Sequence, residues 1–196
     1  MNKYVTFIQK GLGPIFRLFY PMEIIGRENL PDNVMLCPNH SSGLDVPMIV
    51  IGFPVGYKVQ AMGKESLFKI PFIGWYLKKA GAFPVKRGEN DIAAIKKSIS
   101  ALKNGFSMVI FPEGTRVNQP GEMEAKGGGV MIAIRTGVPL VPVYIEHKKR
   151  LFRKSRVIFG EPFMPVYTGR NGTVEEIQAN ADEALRRAYA LGGISI

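Results

Sequence analysis

Val34-Met35-Leu36-Cys37-Pro38-Asn39-His40-Ser41-Ser42-Gly43-Leu44-Asp45-Val46-Pro47-Met48 reads as a buried strand, a polar turn-forming loop and the start of a helix. That succession is the unit from which an α/β sheet is built. The loop carries one of only two histidines in the chain, five residues before Asp45. A neutral imidazole takes a proton near pH 7, and a carboxylate on its other nitrogen fixes the tautomer and stabilises the imidazolium that forms. On one continuous helix, side chains five apart would point about 140° away from each other. Asp45 therefore reaches His40 only if Ser41 to Leu44 turns back, which Ser41, Ser42 and Gly43 permit. Two plainer readings stand beside this one. Asp45 is a suitable N-cap for the helix opening at Val46-Pro47, and His40 is also compatible with a structural histidine.

The rest of the chain repeats the alternation. Strands are predicted over Met22 to Gly26, Val34 to Pro38, Tyr57 to Ala61, Phe106 to Ile110, Leu140 to Ile145 and Arg156 to Phe159. Helices are predicted over Val46 to Ile51, Lys64 to Lys69, Ile73 to Lys79, Asp91 to Lys103, Val130 to Ile134 and Val174 to Leu191. Ile92, Ile95, Ile99 and Leu102 stand at helical spacing, as do Ile177, Ala181, Ala184, Leu185 and Ala188. The expected fold class is α/β, with a central, mostly parallel or mixed sheet flanked by helices and an N-terminal amphipathic helix. With 196 residues, 46% of them hydrophobic, and no internal repeat, residues 21–196 are expected to form a single domain.

Phe106 to Ile110 runs into a second polar loop, Phe111-Pro112-Glu113-Gly114-Thr115-Arg116. Loops at strand ends are where α/β proteins place their chemistry. An H-x4-D and an F-P-E-G-T-R in this order, some 70 residues apart, are highly specific together. The chain resembles the glycerolipid acyltransferase family, of the 1-acylglycerol-3-phosphate acyltransferase type. Gly81-Ala82-Phe83-Pro84-Val85-Lys86-Arg87 matches that family's second block, departing from its common form at Pro84 and Lys86, and Val141-Pro142-Val143 matches its fourth.

The resemblance implies transfer of a fatty acyl group from a thioester carrier to a hydroxyl of lysophosphatidic acid, giving phosphatidic acid. Glycerol 3-phosphate and other lysophospholipids are the alternative acceptors. His40 would be the general base and Asp45 its orienter, with no acyl-enzyme and no cofactor. Arg87 and Arg116 would hold the acceptor phosphate, which guanidinium groups grip with paired hydrogen bonds. Glu113 would steer an arginine or contact the glycerol part, Thr115 completes the matched loop, and Gly114 would let the backbone approach the substrate. Lys126 supplies a third cation before Gly127-Gly128-Gly129, a run able to turn amides toward an anion at a helix start. It lacks the order of a P-loop. The donor would be an acyl-carrier protein or acyl-coenzyme A, since both present a phosphopantetheine thioester.

A net charge of +10 favours an anionic partner: a membrane surface, an acidic carrier or nucleic acid. No nucleic-acid motif is present, so a basic binding protein is the non-enzymatic alternative and nucleic acid is not expected. Residues 1–20 place Lys3, Lys10 and Arg17 on one flank of an apolar helix, the pattern of a membrane-interface helix, although Gly11, Gly13 and Pro14 can split it and a core-packed helix gives the same periodicity. No apolar run reaches spanning length. Peripheral or shallow attachment at the cytoplasmic face is the expectation. The basic stretch Lys148-Lys149-Arg150, continued by Arg153, Lys154 and Arg156, reads first as a solvated face and second as a contact for headgroups or an acidic carrier. The single cysteine, Cys37, suggests a rival thiol nucleophile beside His40, but on an apolar strand it reads as a small buried hydrophobe. Two histidines and one cysteine form no metal-ligand array.

Overall fold

The computed structural model describes residues 3–86 and 91–196. Seven strands form one sheet: β1 (Met22–Ile25), β2 (Met35–Pro38), β3 (Val59–Lys64), β4 (Ala82–Val85), β5 (Ser107–Val109), β6 (Leu140–Ile145) and β7 (Ser155–Phe159). Their spatial order is β1-β7-β6-β2-β5-β3-β4. Every neighbouring pair is parallel except β6 and β7. The expected mostly parallel, mixed sheet is therefore present.

Eight α-helices accompany it among the described residues: α1 (Lys3–Phe7), α2 (Gly13–Phe19), α3 (Asp45–Gly52), α4 (Glu65–Phe68), α5 (Ile73–Lys79), α6 (Ile92–Lys103), α7 (Gly128–Thr136) and α8 (Val174–Leu191). Side chains alternate across the sheet, and both faces are covered. Leu36, Val109, Val141, Val143 and Ile145 pack under α3 and α1. Met35, Cys37, Met108, Leu140 and Tyr144 pack under α6, α7 and α8. Burial on both faces explains why β6 is apolar at every position rather than alternating.

Three local differences from the sequence reading have physical causes. Ala82–Val85 is a strand although no strand was predicted there, because β4 is an edge strand paired only with β3, where Pro84 disrupts no second ladder. Ile92 is 62% exposed, since α6 starts there behind its Asp91 cap and turns Ala94 and Ala101 inward beside the expected Leu102. The N-terminal helix is interrupted by a π-helical segment, Ile8–Leu12, that absorbs Gly11, and it resumes with Pro14 in the first turn of α2.

That N-terminal segment is docked on one side and open on the other. Val5 and Ile8 are buried, and Gln9 Nε2 donates to the carbonyls of Val50 and Phe53, each at 3.0 Å. These carbonyls lie at the end of α3, where the helix leaves acceptors without partners. Phe7, Leu12, Ile15, Leu18 and Phe19 remain exposed. No helix among the described residues is long and apolar enough to cross a membrane.

The chain leaves β2 toward α3 on one face and β5 toward α7 on the other, yet β2 and β5 are hydrogen-bonded neighbours. Divergence of connections from adjacent parallel strands opens a crevice at their carboxyl ends. The His40 loop and the Glu113 loop both start there.

Candidate functional site

The His40 loop folds back on itself. His40 Nδ1 lies 2.8 Å from Asp45 Oδ2, and the same oxygen accepts the backbone N–H groups of Ser41 and Ser42, each at 2.8 Å. The required turn is thus made. Asp45 is the first residue of α3, and its carboxylate points back into the loop rather than capping the helix; the cap position, Leu44, has no side-chain hydrogen bond. The carboxylate thus faces His40 and the loop amides, and the expected N-cap role of Asp45 is not taken up. His40 Nε2 makes no hydrogen bond to the described residues, while Nδ1 is held by Asp45.

Asp45 is fully buried, and its second oxygen, Oδ1, faces the ammonium of Lys149 in an ion pair. Lys149 Nζ also donates to Ser41 Oγ at 2.6 Å, and Ser41 Oγ donates to the carbonyl of His147 at 3.1 Å. Burial pushes the Asp45 carboxyl up, but the bonds from His40, Lys149 and Ser42 outweigh it and hold the group below its usual range. Burial pulls the Lys149 ammonium down, opposed by Asp45. The Lys149 side chain is only 2% exposed, so within the basic run this one lysine does not belong to a solvated face.

The second loop braces the first. The His40 N–H donates to Glu113 Oε2 at 2.5 Å, and the His40 carbonyl accepts from the N–H of Val117 at 2.9 Å. The Phe111 ring stacks on the imidazole with centroids 4.1 Å apart. Tyr189, on α8, donates its hydroxyl to Glu113 Oε1 at 2.6 Å. Both carboxylate oxygens of Glu113 are thus occupied inside the protein, behind His40 rather than toward an arginine. Its carboxyl is pushed up by burial, which these bonds offset only in part. Asn39 ties the loop to β6 by exchanging two hydrogen bonds with Ile145, at 3.0 and 2.7 Å.

The cationic candidates divide. Arg116 is exposed, and its guanidinium lies against Gly43, close enough that a Cβ built on that glycine would stand 3.8 Å from Nη2. This sets a cation beside the His40 loop. Gly114 has φ +67°, and a Cβ there would stand 2.7 Å from Lys126 Cδ. Glycine at this point both adopts the left-handed turn and admits the Lys126 side chain against the motif. Thr115 is exposed beside Arg116. Arg87 lies outside the described residues. In the triple glycine, Gly127 closes on Ile177, where a Cβ would stand 2.5 Å from Cγ2, and Gly129 faces Ile110. Those two glycines serve helix packing.

The thiol rival is not supported by its surroundings. Cys37 is buried on the opposite face of the sheet, and burial pushes its thiol up to about 12, which removes the nucleophilic thiolate near neutral pH. No group of three or more metal-ligating side chains occurs among the described residues.

Asn39, Phe111, Lys149 and Tyr189 complete the constellation without having been singled out as site residues. The position of Asn39 beside His40 was a usable signal. Nothing in the run Lys148-Lys149-Arg150 distinguishes the central lysine, because the path of the connection after β6 decides which side chain turns inward.

The model of the family described as Acyltransferase matches residues 21–146. A 1-acyl-sn-glycerol-3-phosphate acyltransferase of Bacillus subtilis is 36% identical over 164 residues, covering 80% of this chain and 80% of its own length. A chloroplastic 1-acyl-sn-glycerol-3-phosphate acyltransferase of Brassica napus is 35% identical over 130 residues, covering 64% of this chain and 37% of the longer plant protein. The crystal structure of the 1-acyl-sn-glycerophosphate (LPA) acyltransferase PlsC from Thermotoga maritima superposes with a TM-score of 0.72 at 29% identity, covering 100% of this chain and 83% of that one.

Proposed function

The chain belongs to the acyltransferase family and is of the 1-acylglycerol-3-phosphate O-acyltransferase type, and from that premise we propose that His40 is the general base that delivers the acyl group to lysophosphatidic acid. The reaction takes an acyl donor and a lipid acceptor and yields phosphatidic acid. The observation that carries the residue assignment is the 2.8 Å contact of His40 Nδ1 with Asp45, which leaves Nε2 as the proton acceptor.

An alcohol is a weak nucleophile near neutral pH. His40 Nε2 removes the hydroxyl proton as the oxygen attacks the thioester carbonyl, an assistance worth about 10²–10⁴-fold. Asp45 holds the imidazole in the tautomer with its proton on Nδ1 and stabilises the cation formed. The new C–O bond replaces the C–S bond, and the departing sulfur takes up the transferred proton. A thiolate leaves readily because its conjugate acid is far stronger than an alcohol. Arg116, with Arg87 and Lys126, attracts the acceptor phosphate, while Gly114 and Thr115 shape the loop beside it. Glu113 supports the site from behind by fixing the His40 backbone.

The donor is the thioester of an acyl-carrier protein or of coenzyme A. The enzyme works at a membrane surface, on the cytoplasmic face, with residues 1–20 as the interfacial element of a single domain spanning 21–196. Support for this comes from the exposed Leu12, Ile15, Leu18 and Phe19, which continue into Leu151 and Phe152 of the basic connection between β6 and β7. Phe19 and Phe152 are in ring contact at 6.0 Å, and the Phe152 N–H donates to the Phe19 carbonyl at 2.7 Å. An apolar surface flanked by Arg153 and Lys154 suits an anionic bilayer.

The test is acyl transfer by purified protein, wild type and His40→Ala, from both thioesters to lysophosphatidic acid in mixed micelles. Phosphatidic acid formed by the wild type and lost in a folded variant is expected. Near-normal turnover in His40→Ala would remove it as the base.

A further inference from the structure

We propose that Lys149 is a positioning residue for the His40–Asp45 pair, a buried cation that keeps Asp45 anionic and thereby sets the pH at which His40 becomes a free base. The inference rests on the reading of His40 as the base.

The two oxygens of Asp45 have different partners. Oδ2 receives three donors, His40 Nδ1 and the N–H groups of Ser41 and Ser42. Oδ1 faces the Lys149 ammonium alone. With 2% of its side chain exposed, Lys149 is sequestered from bulk water, unlike its exposed neighbours Lys148 and Arg150. Its second bond, to Ser41 Oγ, ties the ammonium to the His40 loop itself. An ammonium ion is retained in such a place only against a carboxylate.

The other nearby carboxylates are already committed. Glu146 is bonded to Arg156 at 2.9 Å and to Tyr144 at 3.0 Å. Glu113 is taken by the His40 amide and Tyr189. The Lys149 charge is therefore directed at Asp45, and its donors point inward rather than to the crevice where a substrate phosphate would sit.

The electrostatic consequence follows from the charge count. With Lys149 in place, the imidazole faces a carboxylate whose charge is largely balanced. Without it, the imidazole would face a bare carboxylate, which favours the imidazolium and raises the pH needed to free Nε2. The substitution removes the bond to Ser41 Oγ but keeps the other charged and titratable groups around the pair: Glu113 at the His40 amide with Tyr189 behind it, Arg116 against Gly43, and Glu146 and His147 on the connection that carries Lys149.

The test compares wild type with Lys149→Met and Lys149→Arg by two readouts, the pH dependence of kcat/KM and the NMR titration of the His40 ring without substrate, assigned in a His147→Gln background. In Lys149→Met both the acid limb and the ring midpoint should move to higher pH by about one unit or more, with activity recovering toward wild type above the new limb. Lys149→Arg should keep the wild-type midpoint even if its bulk lowers kcat. A wild-type midpoint in Lys149→Met, whatever its rate, overturns the proposal, as does an equal shift in Lys149→Arg. Lys149→Gln carries the same expectation as Lys149→Met, so one misfolded variant does not end the test. A displaced ring midpoint in a protein that makes no phosphatidic acid would leave this inference standing and remove only the reading of function.

Discussion

The backbone N–H of His40 donates to the side chain of Glu113 at 2.5 Å, so the carboxylate of the second motif holds the first by its main chain, while Phe111 of the same motif stacks on the ring. A buried carboxylate that accepts a backbone amide fixes where the loop runs and leaves the ring free for chemistry. The Tyr189 hydroxyl on the other oxygen ties the same point to the closing helix.

Glu113→Ala should therefore act first on stability. It leaves the His40 amide and the Tyr189 hydroxyl without an acceptor, at about 1–3 kcal/mol each. A loss of about 2–6 kcal/mol in urea unfolding is expected, with a smaller loss in Glu113→Gln. The pH dependence has a defined sign. Burial raises the folded-state pKa of Glu113 above its ordinary value of 4.5, so the folded state binds this proton more tightly than the unfolded state. Wild-type stability should then fall as pH rises from that value through the raised one, a change that Glu113→Gln cannot show. The stability gap between the two proteins should narrow across that window, and a constant gap would contradict the raised value.

Asp45→Asn tests orientation with almost no change of shape. The amide keeps a carbonyl for some of the loop donors but loses the charge that pairs with Lys149 and stabilises imidazolium. Turnover should drop by about two to four orders of magnitude. Steady-state rates from a thioester donor, beside circular dichroism to verify folding, would check it. A loss below about tenfold would mean that Asp45 only shapes the loop.

What could be read from the chain, and what could not, divides along physical lines. Leu140–Ile145 and Val174–Leu191 were legible to the residue, the first as a continuous apolar run and the second from the helical spacing of Ile177, Ala181, Ala184, Leu185 and Ala188; the structure adds a Thr173–Glu176 capping box at its start. The pairing of His40 with Asp45 was legible as a condition on the intervening turn, because Ser41, Ser42 and Gly43 made that turn possible. Capping and orienting needed the same aspartate, and only the folded loop shows that its carboxylate turns away from the helix. Strand β4 was hidden by Pro84, which argues against a strand unless its edge position is known. Lys149 was hidden by its neighbours, since a basic run carries no mark of which side chain turns inward.

Arg116→Ala removes an exposed cation beside the His40 loop, so it should leave folding intact and act on the acceptor. Charge-assisted hydrogen bonds are worth about 1.5–3 kcal/mol. The KM for lysophosphatidic acid should accordingly rise by about 10- to 100-fold, while transfer to an uncharged monoacylglycerol changes little. Parallel kinetics with the two acceptors would decide it. An equal loss on both would show that Arg116 serves the loop or the donor rather than the phosphate.

The N-terminal segment allows its two contacts to be separated by mutation. Val5 and Ile8 are buried in the core, so deleting the segment would confound docking with membrane binding. Ile15 and Leu18 are 59% and 67% exposed, and replacing both with Asp should spare the fold. If they enter the bilayer interface, each contributes about 1.5–3 kcal/mol of burial, so the double variant should lose at least about 100-fold in partition onto anionic vesicles. Co-sedimentation with phosphatidylglycerol-containing vesicles would measure that loss. Activity on lysophosphatidic acid dispersed below its aggregation limit should change little, because these side chains are exposed on α2 and make none of the contacts that hold the His40 loop. Unchanged vesicle binding would assign the exposed apolar surface to something other than lipid.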